Sequence, residues 1–254
     1  MTDILATRSG SILDIQLNRP EKKNAMTSGM YITMAELLEA AAKDDSIRVV
    51  LWHGAGDSFS AGNDLEDFMK NPPGPGESPQ ARLMGALIDF DKPIVAAVQG
   101  VAIGGGTTML GHCDFVYAGE SARFQVPFIN LALVPEFGSS YLLPLRLGYV
   151  RAAELVLLGQ AFNAARAAQL GLVTQVVPNQ QLLATASETA RQLAEKPAHA
   201  LQACKRLMKQ AVREPLEQAV KVENEEFASR VTSEEARQAF TAFFAKRRPA
   251  RVDA

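Results

Sequence analysis

The beginning of the chain combines two different spacings of apolar residues. Ile4 to Thr7 and Ser11 to Leu17 predict two antiparallel strands that turn at Ser9-Gly10, since apolar and polar residues alternate in the second segment. Residues 27–43 carry apolar side chains at helical spacing, with Thr27 or Ser28 as the N-cap. A hairpin followed by a helix is therefore expected.

The middle of the chain alternates predicted strands and helices. Val49 to Trp52 and Ile94 to Val98 are short apolar runs, typical of strands buried on both faces. Further elements are predicted as a helix at 104–111, a strand at 114–117 and helices at 141–158 and 164–170. Such alternation favours an α/β fold with layered helices and strands.

The last quarter of the chain predicts helices alone, at 181–195, 198–213, 216–230 and 233–246. The second of these has an apolar side formed by Leu201, Cys204, Leu207, Met208 and Ala211. We expect a core over 1–195 and a helical C-terminal region over 196–254 that packs against a neighbouring subunit. The Pro/Gly-rich segment 71–79 predicts a mobile loop, and 251–254 are expected to fray.

Composition excludes several classes of protein. Hydrophobic residues at 47% are enough for a core without a structural metal or disulfides. Net charge is −2, so no overall field attracts nucleic acid or an anionic membrane. Cys113 and Cys204 lack the spacing of a zinc site or disulfide framework. Because neither a leader nor an apolar run of about 18 residues is seen, a cytoplasmic protein is expected.

The densest glycine run is Gly104-Gly105-Gly106, which lacks the spacing of a dinucleotide site or a P-loop. It predicts either a tight turn or backbone N–H groups that bind an oxyanion. Ser58 falls one glycine short of a nucleophile elbow and has no paired histidine, so a serine hydrolase is disfavoured.

A set of motifs in order along the chain resembles the crotonase (enoyl-CoA hydratase/isomerase) superfamily. The motifs are Asn18-Arg19-Pro20, Asn24-Ala25-Met26, Phe59 to Leu65, Lys92-Pro93, Gly100 to Gly106, Cys113-Asp114, 164–173 and the segment from Phe243 to Arg247 with Pro249. The resemblance implies an α/β spiral of ββα units with a helical C-terminal trimerisation region, assembled as a homotrimer or homohexamer.

The resemblance also implies an acyl-CoA thioester as substrate, with coenzyme A as part of that substrate and with neither a separate cofactor nor a metal. It assigns the oxyanion-binding N–H groups to Ala61 and Gly105. The residues implied for coenzyme A are Lys22, Lys23 and Lys246 at the phosphates, and Ser60, Asn63, Asp64 and Leu65 along the pantetheine arm. The Asp64 side chain is expected to be a helix N-cap and not a catalytic acid.

The reaction is predicted from one difference from the hydratases of this family and one similarity to its isomerases. Hydratases of this family use two glutamates, and the corresponding positions here are Thr108 and Phe128, neither of which transfers protons. Glu136, in a segment similar to peroxisomal-type Δ3,Δ2-enoyl-CoA isomerases, is the candidate base. Apolar neighbours are expected to raise its pKa. The alternative is a surface N-cap for a helix beginning near Ser139.

Several functions remain open at this point. They are hydration or thioester hydrolysis by other groups, isomerisation of a ring-type acyl-CoA, and a catalytically silent binder of CoA thioesters or an RNA-associated member of the fold, although the near-neutral charge disfavours RNA. The acyl pocket is expected beside the loop at 71–79, bordered by Leu83, Leu87 and Phe90.

Overall fold

A computed structural model describes residues 2–72 and 78–247, with 246 and 247 described by their backbone alone. Most of the loop predicted at 71–79, and the fraying predicted at 251–254, lie outside these residues. The strands are β1 (Ile4–Ser9), β2 (Ile12–Leu17), β3 (Val49–Gly54), β4 (Ile94–Val98), β5 (Val101–Ile103), β6 (Phe115–Gly119), β7 (Arg123–Gln125), β8 (Phe162–Asn163) and β9 (Gln175–Val177). The helices are α1 (Ser28–Lys43), α2 (Leu65–Lys70), α3 (Pro79–Asp89), α4 (Gly105–Thr108), α5 (Ser139–Leu147), α6 (Tyr149–Leu158), α7 (Ala164–Gln169), α8 (Leu182–Ala194), α9 (Ala198–Val231) and α10 (Glu234–Arg247).

The strands form a main sheet and a small second sheet. In the main sheet the order is β1-β2-β3-β4-β6-β9, with β1 and β2 antiparallel and the other neighbours parallel. The predicted hairpin is confirmed, and its turn uses Gly10 at φ +60°, a conformation that glycine adopts without strain. The second sheet has the order β5-β7-β8.

Helices cover both faces of the main sheet, as the two apolar runs predicted. Val50 and Trp52 of β3 belong to the main core, which also contains the buried sides of α1 and α3. Val49 and Leu51, which alternate with them, pack in a second core with α8. Burial on both faces explains why these strands are continuous apolar runs.

Two predictions of helix boundaries differ from the structure. The helix expected at 141–158 is interrupted at Gly148, whose φ of +79° ends α5 and begins α6. The helices expected at 198–213 and 216–230 are one helix, α9, which continues through Pro215. Core packing of Leu216 and Val220 beyond the proline compensates for the missing backbone donor. The shortest strands, such as β5 and β8, contain too few residues to show a period.

The apolar side predicted for the second tail helix faces outward. Leu207 and Met208 are 69% and 73% exposed, whereas Lys205 is 4% exposed. Lys205 takes the buried position because its ammonium group donates to the Lys92 carbonyl at 2.8 Å and to Asp114 Oδ2 at 2.7 Å. The packing of the exposed apolar side against a neighbouring subunit stays a prediction.

Two further lysines bind carbonyl groups near the ends of helices. Lys92 donates to the carbonyls of Ala41, at 2.6 Å, and Asp44, at 2.8 Å, at the end of α1. Lys209 donates to the carbonyl of Phe90 at 3.2 Å, just after α3. Carbonyls at helix C-termini lack intrahelical partners, so these ammonium groups satisfy them, and the Lys209 contact also fixes α9 to the core.

We expect Lys205→Ala to destabilise the fold by about 2–3 kcal/mol, because it leaves the Asp114 carboxylate and a buried carbonyl without their donor. The measurement is the free energy of unfolding from urea titration. Lys221→Ala, at an exposed position of the same helix, is the matched control. Equal stability of the two variants would contradict a structural role for Lys205.

Candidate active site

The segment that follows β2 and the loop that follows β3 meet at the start of α4, beyond the carboxyl ends of these strands. Gly62, at φ +86°, lies so close to Ile103 that a Cβ there would be 2.6 Å from the Ile103 carbonyl oxygen. A Cβ on Gly105 would lie 2.9 Å from Glu136 Oε1 and 3.1 Å from the Tyr31 hydroxyl. Gly62 therefore permits the loop to approach Ile103, and Gly105 permits Glu136 to approach the first turn of α4.

Two contacts predicted for the loop that follows β3 are wrong. The Ala61 N–H donates to the Lys23 carbonyl at 2.8 Å, so it is not available to a thioester oxygen. Ser60 is fully buried, its N–H donates to Val101 and its carbonyl accepts from Ile103, so its backbone is not available to a pantetheine arm. Both residues hold the loop to its neighbours.

The N–H groups of Asn63 and Gly105 have no hydrogen-bond acceptor within residues 2–72 and 78–247. Bonds on either side of Asn63 leave its own N–H free: Met26 donates to the Gly62 carbonyl at 2.7 Å, and Asp64 donates to the Met26 carbonyl at 2.8 Å. Unpaired backbone donors beside a buried carboxyl group mark a site for a ligand that accepts hydrogen bonds.

Glu136 is 3% exposed, and its Oε1 has no hydrogen-bond partner among the described residues. Burial raises the pKa of its carboxyl group to about 8, the negative charge of Glu223 adds to the rise, and the Asn63 side chain opposes it. The predicted direction of the shift agrees with this environment. The alternative of a surface N-cap is wrong, because the side chain is buried.

The side chain of Asn63 is oriented by Tyr31, a residue of α1 that sequence reasoning missed. The Tyr31 hydroxyl donates to Asn63 Oδ1 at 2.6 Å, so the amide nitrogen is left for other partners. Burial raises the pKa of Tyr31 well above its ordinary value, with a further rise from Glu136, and the hydroxyl stays protonated. A tyrosine in the apolar stripe of α1 was the available signal, since buried hydroxyls need partners.

The two positions that hold glutamates in hydratases carry no ionisable group here. Thr108 is buried and its hydroxyl donates to the Gly104 carbonyl at 3.3 Å. Phe128 is buried in a separate apolar cluster and packs edge-on against Phe227. Glu136 therefore lies at the unpaired N–H groups without a second carboxylic acid at either position.

The residues predicted to contact coenzyme A have different surroundings. Lys22 and Lys23 are exposed at the end of a 3-10 turn. Asp64 caps α2 through the N–H groups of Glu66 and Asp67 and accepts from Arg19 at 2.9 Å, while its own N–H is paired with Met26. Its side chain thus has the expected structural role, and its N–H is not free for pantetheine. Asn63 and Leu65 are half-buried, and the side chain of Lys246 lies outside the described residues.

The side chains expected to border the acyl pocket lie elsewhere. Leu83, Leu87 and Phe90 are almost fully buried in the main core, where α3 packs against α1. A small apolar cavity lies instead between α4 and α5, lined by Thr107, Thr108, Leu110, Gly111, Phe124, Val126, Ser139, Leu142, Leu143, Arg146 and Leu172.

Within the described ranges, no group of three or more His, Cys, Asp or Glu side chains is placed to hold a metal ion. Nor does any helix there have the length and apolar character needed to cross a membrane.

The chain belongs to the enoyl-CoA hydratase/isomerase family, whose model matches residues 7–253. It is 36% identical to the 1,2-epoxyphenylacetyl-CoA isomerase of Escherichia coli, over 98% of each chain. It is 38% identical to human enoyl-CoA delta isomerase 2, over 84% of this chain and 56% of that protein. Hydratases are also among the matching relatives, so family membership does not determine the reaction.

The fold agrees with this assignment. The crystal structure of an enoyl-CoA hydratase/isomerase from Pseudoalteromonas atlantica has a TM-score of 0.92 and 40% sequence identity, over 98% of this chain and 99% of that one. The α/β crotonase fold predicted from the motifs is confirmed, with the long helix α9 in its C-terminal region.

The environment of Glu136 is testable through stability. Glutamate titrates near 4.5 when unfolded, whereas the folded carboxyl group titrates at about 8, so the folded state loses relative stability as pH rises between these values. Below the lower value both states hold the proton and the loss disappears. We expect Glu136→Gln to be more stable than wild type by about a few kcal/mol at pH 9 and nearly equal at pH 4.

Urea unfolding of both proteins at the two pH values measures the difference. Glu225→Gln, which changes an exposed glutamate of α9, is the control and should match wild type at both. If the free energy of unfolding of Glu136→Gln equals that of wild type at pH 9, the Glu136 carboxyl group has an ordinary pKa.

Proposed function

We propose that this protein is a Δ3,Δ2-enoyl-CoA isomerase in which Glu136 moves one proton between C2 and C4 of a 3-enoyl-CoA. The observation that carries the proposal is the Glu136 carboxyl group, buried against Gly105 with Oε1 unpaired. A buried carboxyl group beside unpaired N–H donors has the parts needed to form and reprotonate an enolate.

In this proposal the thioester carbonyl oxygen accepts from the N–H groups of Asn63 and Gly105. Asn63 replaces Ala61, because the Ala61 N–H is already paired with Lys23. Removing a proton beside the thioester places negative charge on that oxygen. Loss of one well-placed donor typically costs about 3 kcal/mol of transition-state stabilisation, so the pair would supply a large share of the catalysis.

The proton transfer needs one base and no water. Glu136 in its carboxylate form takes a proton from C2, and the C–H electron pair enters the thioester to give a dienolate. The enolate oxygen then re-forms the thioester C=O bond, the C1=C2 pair becomes the C2=C3 double bond, and the C3=C4 pair takes the proton from Glu136 at C4, which restores the Glu136 carboxylate. A raised pKa favours this sequence, because the carboxyl group must hold the proton while the dienolate exists.

Hydration of a 2-enoyl-CoA is the alternative with the least support from the site. It needs one group to activate water and another to protonate the α-carbon. The hydroxyl of Thr108 donates to a backbone carbonyl, and Phe128 is apolar. Thioester hydrolysis would likewise need an activated water. The same isomerase chemistry would also act on a ring-type acyl-CoA. The Escherichia coli relative is named for an isomerisation of a ring-type acyl-CoA, 1,2-epoxyphenylacetyl-CoA.

The coenzyme A portion of the substrate is proposed to lie across the exposed surface at Lys22 and Lys23, with the backbone at Asn63 and Leu65 beside the pantetheine arm. The exposed ammonium groups match the phosphates in charge. Assembly as a homotrimer or homohexamer belongs to the same proposal, with the exposed side of α9 at Leu207 and Met208 as a candidate contact.

We expect Glu136→Gln to lower kcat for conversion of 3-hexenoyl-CoA to 2-hexenoyl-CoA by about 10³-fold, the scale of a lost general base. The amide keeps the shape of the side chain and cannot take the proton. Absorbance of the conjugated thioester follows the reaction, and Glu225→Gln is the control. Equal turnover by the variant and wild type, or an inert wild type, would contradict the proposal.

A parallel assay of crotonyl-CoA hydration separates the two reactions of the family. The proposal expects hydration to be at least about 10²-fold slower than isomerisation, since Thr108 and Phe128 stand at the positions of the acid/base pair. Hydration at the faster rate, retained in Glu136→Gln, would support a hydratase that uses other groups.

The pH dependence of kcat/KM is the second kinetic test. The carboxylate form is the reactive one, and the carboxyl pKa is about 8. We therefore expect kcat/KM to rise between pH 6 and pH 8 and to level off above about pH 9, since kcat/KM reports the free enzyme. A profile that is flat from pH 6 to 9 would contradict a base with this raised pKa.

A further inference from the structure

The turn that carries Glu136 has an unusual backbone. Phe137 and Gly138 follow Glu136 directly and have φ of +60° and +66°. Glycine adopts this left-handed region freely, but a bulky residue such as phenylalanine is strained there. Contacts from elsewhere in the protein must hold the turn.

The strongest of these contacts comes from Glu223, a residue of α9 far away in the sequence. Glu223 Oε2 accepts from the Gly138 N–H and Oε1 accepts from the Ser140 N–H, each at 2.7 Å. The side chain is 5% exposed, and it satisfies N–H groups at the start of α5, where Gly138 offers no capping side chain. One carboxylate thus holds the C-terminal side of the turn at two N–H groups.

The second contact is made by His112, whose Nε2 lies 2.8 Å from the Phe137 carbonyl oxygen and donates to it. Burial lowers the pKa of His112 to about 4, so the ring is neutral at pH 7. Phe137 itself is fully buried and packs against Tyr31. These contacts fix the position of the Phe137 backbone without adding charge.

The groups that face Glu136 differ in charge. Tyr31 from α1 stays protonated, Asn63 is neutral, and Glu223 from α9 is the carboxylate whose charge acts on Glu136. Burial raises the pKa of Glu223, while the N–H donors of Ser140 and Gly138 favour its charged form. A negative charge behind the turn strengthens proton binding by Glu136.

We propose that Glu223 is a positioning residue for Glu136: its carboxylate holds the strained Phe137-Gly138 turn from α9 and directs the Glu136 side chain at Gly105. This inference rests on the proposed function for its kinetic consequence. Its geometric part concerns the free protein and is testable without any substrate. The pattern Leu216, Val220, Glu223, Phe227 and Val231 places the acid within the buried stripe of α9, so the C-terminal region forms part of the site's support.

The test is infrared titration of the free protein. The C=O stretch of protonated Glu136 is identified as the band that disappears in Glu136→Gln, and its pH midpoint is then measured in Glu223→Gln. Glutamine removes the charge and can accept from one of the two N–H groups but not both. We expect the midpoint to fall by about one pH unit, because both the charge and the fixed position are lost.

The kinetic arm uses 3-hexenoyl-CoA. Glu223→Gln should lower kcat by about 100-fold, with KM changed by less than about threefold, because a misplaced base affects the chemical step. Glu223→Asp keeps the charge on a shorter side chain and should restore part of kcat and most of the pH midpoint. This variant also tests the inference if Glu223→Gln does not fold. Glu226→Gln, which removes a surface pair with Arg230 in the same helix, is the matched control.

Each outcome has a separate meaning. If Glu223→Gln is less stable but keeps the wild-type midpoint and kcat, Glu223 only docks α9 and the inference is overturned. If wild type does not turn over the substrate while the midpoint still falls in Glu223→Gln, the proposed reaction is wrong and the positioning of Glu136 by Glu223 stands.

Discussion

The burial of the Glu136 carboxyl group against the first turn of α4 is the constraint on which the site depends. A carboxylate with an unpaired oxygen is unfavourable in a protein interior, and it persists only where surrounding structure fixes it. Here the absence of a side chain at Gly105 makes room for it, and contacts from α1, α9 and the turn beside His112 hold it. The site is therefore built from parts far apart in the sequence.

The fold explains how these parts meet. Parallel strands β2, β3 and β4 end at one edge of the main sheet, and the segments that follow them are joined there by single bridges between Met26 and Asn63 and between Ser60 and Ala102. Those bridges use the N–H groups of alternate residues and leave the Asn63 N–H unpaired. Backbone pairing, and not a side chain, decides which donor in the loop is available.

This dependence shows what the sequence could and could not predict. The apolar runs of β3 and β4 and the period of α1 were readable because burial acts on side chains. The assignment of Ala61 was wrong because the direction of an N–H group depends on pairing with Lys23, which leaves no trace in composition. The sequence also did not show which side of α9 is buried, because Lys205, a polar residue, fills the buried position by reaching carbonyls and Asp114. Glu223 had a readable signal, an acid within an apolar helical stripe.

The placement of Glu223 gives the helical C-terminal region a role in the proposed reaction. In that reaction, a base that returns the same proton it removes must not release it to solvent during the lifetime of the dienolate. Burial supplies part of that proton affinity, and the charge of Glu223 supplies another part while its two oxygens keep the turn rigid. Both effects disappear if α9 moves away, because no other described group bonds both Gly138 and Ser140. Docking of α9 and the proton affinity of Glu136 are thus one coupled property of the fold.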